Sequence, residues 1–268
     1  MLKDITLGQY FPGNSFIHRL DPRTKLVFTI LYIASLFVAK TYISYGILFL
    51  VLVISVAISK IKPSAMLKGL KPLTIIIIFT AVLNLFYTKG GDTLISYGII
   101  TVTTEGIKIA VYMVVRIMML ISGTFLLTYT TTPMALTDGM EILMNPLKKM
   151  HVPVHEFSMM MSISLRFIPT LIEEADKITN AQKARGADFE TGTLADRAKA
   201  LLPLLVPLFV SAFRRADELA IAMESRCYHG GEGRTRMKKL KMESSDVLTL
   251  AFSALLLAGI IVLARYGL

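Results

Sequence analysis

The chain has 268 residues, of which 54% are hydrophobic and 18% are charged, with a mean hydropathy of +0.60 and a formal net charge of +10. Soluble domains average about 45–50% apolar and about 25% charged residues, so this composition argues against an ordinary soluble domain. It also excludes an intrinsically disordered chain, a collagen-like chain and a small disulfide scaffold, because the only cysteine is Cys227.

Five apolar segments, nearly free of charge, each predict a transmembrane helix. They cover residues 26–39, 42–59, 72–88, 107–131 and 247–264. A bilayer core requires about 20 predominantly apolar residues per helix, with a range of roughly 17–25. We therefore divide the chain into an N-terminal segment (1–25), four transmembrane helices (26–131), a polar block (132–246) and a C-terminal transmembrane helix (247–268).

The distribution of Lys and Arg predicts the orientation, because cytoplasmic loops carry the excess of basic residues. Placing residues 1–25, the loop 60–71 and the block 132–246 in the cytoplasm puts 24 of the 29 basic residues there. The loop 89–106 and the C-terminus then face outward. We expect a multi-pass protein of the cell inner (cytoplasmic) membrane, with its N-terminus inside and its C-terminus outside.

The positive charge also bears on partners. Basic segments beside membrane helices are attracted to anionic lipid, so the lipid bilayer is an expected partner. Nucleic acid is not an expected partner, because no basic stripe is interleaved with exposed aromatic residues.

The polar block predicts one short helix and two long ones. Residues 134–150 form a short amphipathic pattern. Residues 154–184 place apolar side chains at intervals of three or four, which is typical of one helical face, and Gly186 then suits a left-handed cap. A second long helix covers about 194–228. Its stretch 200–213 is apolar on all sides, which suits a buried or interfacial helix better than a span.

The first long helix also has a charged pair on one face and an apolar row on the other. Glu173 and Lys177 lie four residues apart in the favourable order for an ion pair. The apolar face comprises Val154, Phe157, Met161, Leu165, Ile168, Ile172, Ala175 and Ile178.

Both long helices close on an arginine between small residues, in Ala184-Arg185-Gly186 and Ser225-Arg226-Cys227. Either arginine alone is equally well explained as a cation that interacts with the helix dipole. Two such endings in one block are harder to explain by capping. Small neighbours also let a partner approach the guanidinium, whose planar fork binds carboxylates or carbonyls bidentately.

With these segments the chain resembles a known family, the transmembrane T component of energy-coupling factor (ECF) transporters, which are ABC-type importers of vitamins and metal ions. The resemblance covers nearly the whole chain. It is carried by GQYFPGNSFIHRLDPRTK (8–25), Arg116, LLTYTTTPMALTDGMEILMNPL (126–147), SLRFIPTLIEEADKITNAQKARG (164–186) and RADELAIAMESRCYHGG (215–231).

The resemblance implies an all-α membrane protein with about five transmembrane helices and a cytoplasmic coupling domain of one short and two long crossed amphipathic helices. In the family, short Ala-Arg-Gly-like motifs dock in grooves of two ATPase subunits. Ala184, Arg185, Gly186, Ser225, Arg226 and Cys227 match them. The second motif departs from the pattern at both flanks, although Ser and Cys are still small.

The implied function is that of an energy-coupling subunit. It would transmit the ATP-driven motion of two ATPase subunits to a membrane-embedded, substrate-binding S component, for uptake of vitamins or metal ions. The chain has no GxxxxGK[ST] phosphate loop, so it is not expected to be the ATPase. We expect no cofactor here, and ATP and Mg on the partner ATPases.

Other readings of the sequence are weaker. A self-contained secondary transporter should show inverted repeats and broken helices, and neither is evident. No spacing suggests a catalytic constellation, so enzymatic activity is not expected. His151 and His155 are four apart, but Pro153 spoils a helical pair of metal ligands, and no metal site is expected.

Arg116 is an intramembrane charge, which is a functional candidate by default. It is expected either to extend outward to the interface or to bind carbonyls near Asn84. Met-rich runs, including Met118-Met119, are open to two readings, as helix filling or as a deformable sliding surface. Under the second reading the candidate contacts for the S component are Met159, Met160, Met161, Pro203 and Pro207.

Overall fold

A computed structural model describes residues 10–88, 90, 92–97, 100–187, 189, 193–231 and 240–266. Residues 1–9 of the predicted N-terminal segment and the loop residues 89, 91, 98 and 99 lie outside this part. The described chain divides into two units, which we call the membrane unit (within 8–139 and 240–268) and the long-helix unit (within 140–239).

The described chain is almost wholly helical, with one short β-hairpin. Its elements are α1 (Phe16–Arg19), α2 (Pro22–Val38), α3 (Tyr42–Ser59), α4 (Pro63–Leu70), a 3-10 turn (Lys71–Leu73), α5 (Thr74–Tyr87), β1 (Thr93–Tyr97), β2 (Ile100–Thr103), α6 (Thr104–Thr130), α7 (Pro133–Met144), a 3-10 segment (Asn145–Met150), α8 (Val154–Ala184), α9 (Leu194–Glu224) and α10 (Ser244–Tyr266). The hairpin strands β1 and β2 are antiparallel. The short helix and both long helices predicted for the polar block are thus confirmed.

Four described helical stretches are long and apolar enough to cross a membrane: Tyr42–Ser59, Pro63–Tyr87, Thr104–Thr130 and Ser244–Tyr266. They correspond to four of the five predicted spans. The remaining segment, 26–39, lies in α2, which has 17 residues. That length is at the short end of the roughly 17–25 residues that a span requires, so this fifth span stays a prediction.

The core of the membrane unit lies among α2, α3, α6 and α10. Tyr32, Leu36, Leu48, Met119 and Ile260 are buried in one cluster there. Packing is tight where α6 meets α2, because a Cβ built on Gly123 would lie 2.9 Å from the Tyr32 ring. Small residues permit this close approach of membrane helices.

Two buried aspartates join the first turns of α2 and α10. Asp246 is 2% exposed. One of its carboxylate oxygens accepts the backbone N–H of Asp21 at 2.8 Å, and the other accepts that of Glu243 at 2.9 Å. Asp21 in turn accepts the backbone N–H of Arg23 at 2.9 Å. These bonds satisfy N–H groups that helix starts otherwise leave unpaired.

Asp21 also forms a salt bridge with Arg23. The Arg23 guanidinium lies 2.8 Å from the Asp21 carboxylate. Burial acts to raise the pKa of Asp21, but the hydrogen bonds and charge of Arg23 outweigh it, and the pKa of that carboxyl is lowered. Asp21 therefore stays ionised at neutral pH.

Candidate functional site

The first arginine end lies at the C-terminus of α8. Ala184 is the last helical residue, and Arg185 is the C-cap. The N–H of Gly186 donates to the carbonyl of Lys183 at 3.0 Å, and that of Ala187 donates to Gln182 at 3.0 Å. Gly186 has a φ of +87°. This is a Schellman motif with glycine in the left-handed position, as the sequence predicts.

The second arginine end, after α9, has the same hydrogen-bond pattern. The N–H of Cys227 donates to the carbonyl of Glu224 at 2.9 Å, and that of Tyr228 donates to Met223 at 3.1 Å. Cys227 has a φ of +56°, so it occupies the left-handed position that Gly186 occupies in α8. Ser-Arg-Cys and Ala-Arg-Gly therefore form the same turn, with each arginine at the C-cap.

Both arginine ends are open to solvent. Ala184, Arg185 and Gly186 are exposed, as are Ser225, Arg226 and Cys227. Neither guanidinium forms a hydrogen bond or an ion pair with a residue that the structure describes. Both arginines are thus free to meet the carboxylates or carbonyls of a partner.

A polar cluster joins α8 to α9. The two carboxylate oxygens of Glu174 accept one hydrogen bond each at 2.7 Å, from the Ser211 hydroxyl and from the Arg215 guanidinium. These bonds from Ser211 and Arg215 lower the pKa of the Glu174 carboxyl. Beside them, a cavity of about 260 Å³ is lined by α8 and α9.

The cluster corrects two details of the sequence interpretation. The expected pair of Glu173 and Lys177 is not among the described ion pairs, whereas the adjacent Glu174 forms one with Arg215 of α9. The side chains of α8 that share the cavity with α9 are Ile163, Phe167 and Leu171, none of which belongs to the predicted apolar face. The sequence holds two signals for this contact. Glu174 is an acidic residue beside Glu173, and the basic pair Arg214-Arg215 follows the apolar run 200–213.

The proposed contacts for the S component are largely uncovered. Met160 and Met161 are exposed, and so are Pro203 and Pro207, whereas Met159 is half-buried. An apolar stripe of α9 is also exposed, and it comprises Leu201, Leu202, Leu205, Val206, Phe209, Val210 and Phe213. Within the described chain, much of residues 200–213 is therefore uncovered.

Arg116 has partners other than those expected. Its Nε donates to the Tyr45 hydroxyl at 2.7 Å, and one terminal nitrogen donates to the carbonyl of Ala39 at 3.4 Å. The expectation of carbonyls near Asn84 is therefore wrong. Ala39 is the C-cap of α2, where free carbonyls attract a cation. Arg116 thus ties α6 to the end of α2 and the start of α3.

The two histidines do not act together. His155 Nδ1 lies 3.1 Å from a Glu141 carboxylate oxygen, while His151 caps the preceding 3-10 segment with a φ of +61°. In the described ranges, no group of three or more His, Cys, Asp or Glu side chains is placed to hold a metal ion.

Comparison with known proteins shows the family to which the chain belongs. Residues 13–237 match the CbiQ family, described as a cobalt transport protein. The energy-coupling factor transporter transmembrane protein EcfT of Clostridium kluyveri is 52% identical over 266 residues, which cover 99% of this chain and 98% of the relative. The EcfT proteins of Acidaminococcus fermentans and Bacillus subtilis are 54% and 47% identical, over 93% and 99% of this chain and 92% and 100% of their own lengths.

The chain belongs to the EcfT family. It is the transmembrane T component of an ECF transporter, a multi-pass membrane protein and a non-catalytic subunit. The resemblance to this family over nearly the whole chain is confirmed. The alternative of a self-contained secondary transporter is set aside by this membership.

Proposed function

We propose that this EcfT chain couples two ATPase subunits mechanically to a substrate-binding S component. Arg185 and Arg226 each dock in one ATPase subunit, and ATP-driven closure of the ATPases moves α8 and α9. The observation that carries this proposal is the repeated arginine end, in which two different tripeptides form one turn and present one free guanidinium each. ATP and Mg belong to the partner subunits.

The charge distribution supports a cytoplasmic position for both arginine ends. With the N-terminus inside and the C-terminus outside the inner membrane, 24 of the 29 Lys and Arg residues lie on the cytoplasmic side. The ATPases that would bind the arginine ends are then on the side where ATP is available.

The S component is proposed to bind the exposed apolar stripe of α9 together with Met159, Met160 and Met161. A contiguous exposed apolar surface marks a protein or membrane contact. Methionine side chains adapt to irregular partners, which suits a surface that must slide during transport. Pro203 and Pro207 lie within this stretch of α9 and remove backbone N–H donors from it.

The contact of Glu174 with Ser211 and Arg215 is proposed to link ATPase docking to binding of the S component. In the proposed arrangement α8 and α9 cross, and this cluster holds them together at the C-terminal end of the apolar stripe, since Ser211 lies between Val210 and Phe213. Movement of either arginine end is then passed to the surface that holds the S component, and the S component reorients to release a vitamin or metal ion inward.

The docking role is tested by co-purification from membranes that contain the complete transporter. The double variant Arg185→Glu/Arg226→Glu should lose both ATPase subunits, because two cations become anions at the contact. The matched control is Lys177→Glu/Arg214→Glu, which reverses two exposed cations on the same helices and should retain the ATPases. Retention of both ATPases and of uptake by the first variant would show that the arginines do not dock.

A further inference from the structure

A large apolar cavity lies at one end of the membrane unit. Its volume is about 570 Å³, within the range of roughly 300–1,000 Å³ typical of ligand sites. The lining comes from the first half of α2, the second halves of α3 and α6, and the first half of α10. In the orientation proposed above, these are the cytoplasmic halves of the four helices, so the cavity lies at the level of the cytoplasmic leaflet.

The cavity opens toward the hydrocarbon. Ile54, Ile58, Leu248 and Phe252 line it and are 44–71% exposed. They belong to α3 and α10, which meet the length and hydropathy requirements of membrane spans. Because lipid chains surround such side chains in a bilayer, an acyl chain has direct access to the cavity.

One buried cation lines this apolar space. Lys25 is 6% exposed, and its ammonium donates to the carbonyls of His18 at 3.1 Å and Thr130 at 3.0 Å. An ammonium has three N–H donors, so one remains for a ligand. No carboxylate lies within ion-pair distance of Lys25 among the described residues, although Asp246 and Asp21 act on it as nearby charges, so the third N–H of the ammonium is available to an oxygen of a ligand.

Further basic residues lie at the same end. Lys60 and Lys62 flank Ile61, which packs in one cluster with Ile17, a residue of the cavity wall. Basic side chains beside a membrane helix attract anionic headgroups. An apolar cavity open to the bilayer therefore has cations at its polar edge.

We propose that this cavity binds one anionic phospholipid of the cytoplasmic leaflet. An acyl chain fills the space between α2, α3, α6 and α10, and an oxygen of the ester or headgroup region accepts the third N–H of Lys25. The leaflet assignment rests on the proposed orientation. Such a lipid would fill the apolar space between the four helices.

The absence of tryptophan from the chain permits a direct test. A single Trp is introduced at Phe252, in the cavity wall, or at Leu255, one turn further along α10 and outside it. Each full-length variant is reconstituted in vesicles with brominated phosphatidylglycerol or brominated phosphatidylcholine, and fluorescence quenching is measured. Phe252→Trp should prefer the anionic lipid about fivefold, the effect of one nearby basic side chain. Leu255→Trp should be quenched equally by both lipids.

Two second-site variants test whether Lys25 and the cavity cause the lipid preference of the Phe252→Trp reporter. Lys25→Met should remove the preference of the Phe252→Trp reporter, and Ser55→Phe should lower its quenching by occupying the cavity while leaving Lys25 intact. Helical content measured by circular dichroism confirms folding, and Ser55→Phe keeps the test usable if Lys25→Met unfolds.

Three results would overturn the proposal: equal quenching of Phe252→Trp by the two lipids, the same preference at both reporter positions, or loss of quenching by both lipids when the S component is added. The last would make the cavity a protein interface. Neither the quenching nor the co-purification experiment depends on the other, so a failed lipid site and a failed ATPase contact are distinguishable.

Discussion

Among single residues, Gly186 and Cys227 show that the backbone turn, rather than the identity of the flanking residues, determines how each arginine is presented. Gly186 and Cys227 occupy equivalent left-handed positions, and the same pair of carbonyls is satisfied in both turns. The departure from Ala-Arg-Gly in the second motif therefore leaves the presentation of Arg226 intact. What changes is the conformational cost, because a side chain in the left-handed region costs about 1–2 kcal/mol.

This difference predicts opposite effects of two substitutions. Cys227→Gly should stabilise the end of α9 by about 1 kcal/mol, and Gly186→Ala should destabilise the end of α8 by a similar amount. Hydrogen exchange of the amides of residues 227 and 228, and of 186 and 187, measures both effects. Exchange that is unchanged in both variants would show that the left-handed turns are not maintained in the membrane-bound protein.

The sequence predicts local features of this site well and pairings between elements poorly. Helix caps depend on neighbouring residues, so both arginine ends and the left-handed Gly186 follow from the sequence. The choice of Glu174 over Glu173 as a partner depends on which face of α8 meets α9. The partners of Arg116 likewise depend on where the ends of α2 and α3 lie, which no local pattern encodes.

Among the helices, the close packing of α6 on α2 depends on Gly123, which has no side chain. The ring of Tyr32 fills the space over Gly123, and its own environment is the buried core of the membrane unit. A methyl group added at Gly123 would have to displace this ring, although Tyr32 and Gly123 also line the apolar cavity.

Gly123→Ala should therefore destabilise the protein by about 1–3 kcal/mol, which is typical of overpacking. Gly259→Ala is the matched control, because α10 has no neighbouring atom within 4 Å of a Cβ at that position. The control should be neutral or slightly stabilising, since alanine favours helices over glycine. The thermal midpoint of the detergent-purified protein measures both. Equal midpoints would mean that α6 and α2 do not approach this closely.

The uncovered stripe of α9 shows another limit of sequence at this scale. An all-round apolar segment of 14 residues fits a buried helix and an interfacial helix equally, because composition does not reveal what covers it. The described residues of this chain leave the stripe exposed, and we propose that a partner covers it. In our account that cover is the S component.

At the scale of the whole molecule, hydropathy and charge predict the division into spans and a polar block. Four of the predicted spans correspond to described helical stretches that are long and apolar enough to cross a membrane, since each depends only on a continuous apolar run. The bond between Asp246 and the Asp21 backbone joins residues 225 positions apart, and no periodicity indicates it. Family membership then supplies what neither hydropathy nor packing provides, namely the role of a T component.

If α8 and α9 pass motion between the ATPases and the S component, the amount of substrate imported per ATP hydrolysed depends on the contact between these two helices. Both quantities are measured in the same proteoliposomes holding the complete transporter. Glu174→Arg places two cations together where α8 meets α9, and it leaves both arginine ends unchanged. We predict continued hydrolysis with a several-fold lower yield of uptake per ATP, and recovery in Glu174→Arg/Arg215→Glu, where the charge pair is restored in reverse. An unchanged yield in Glu174→Arg would contradict the coupling role of the two helices.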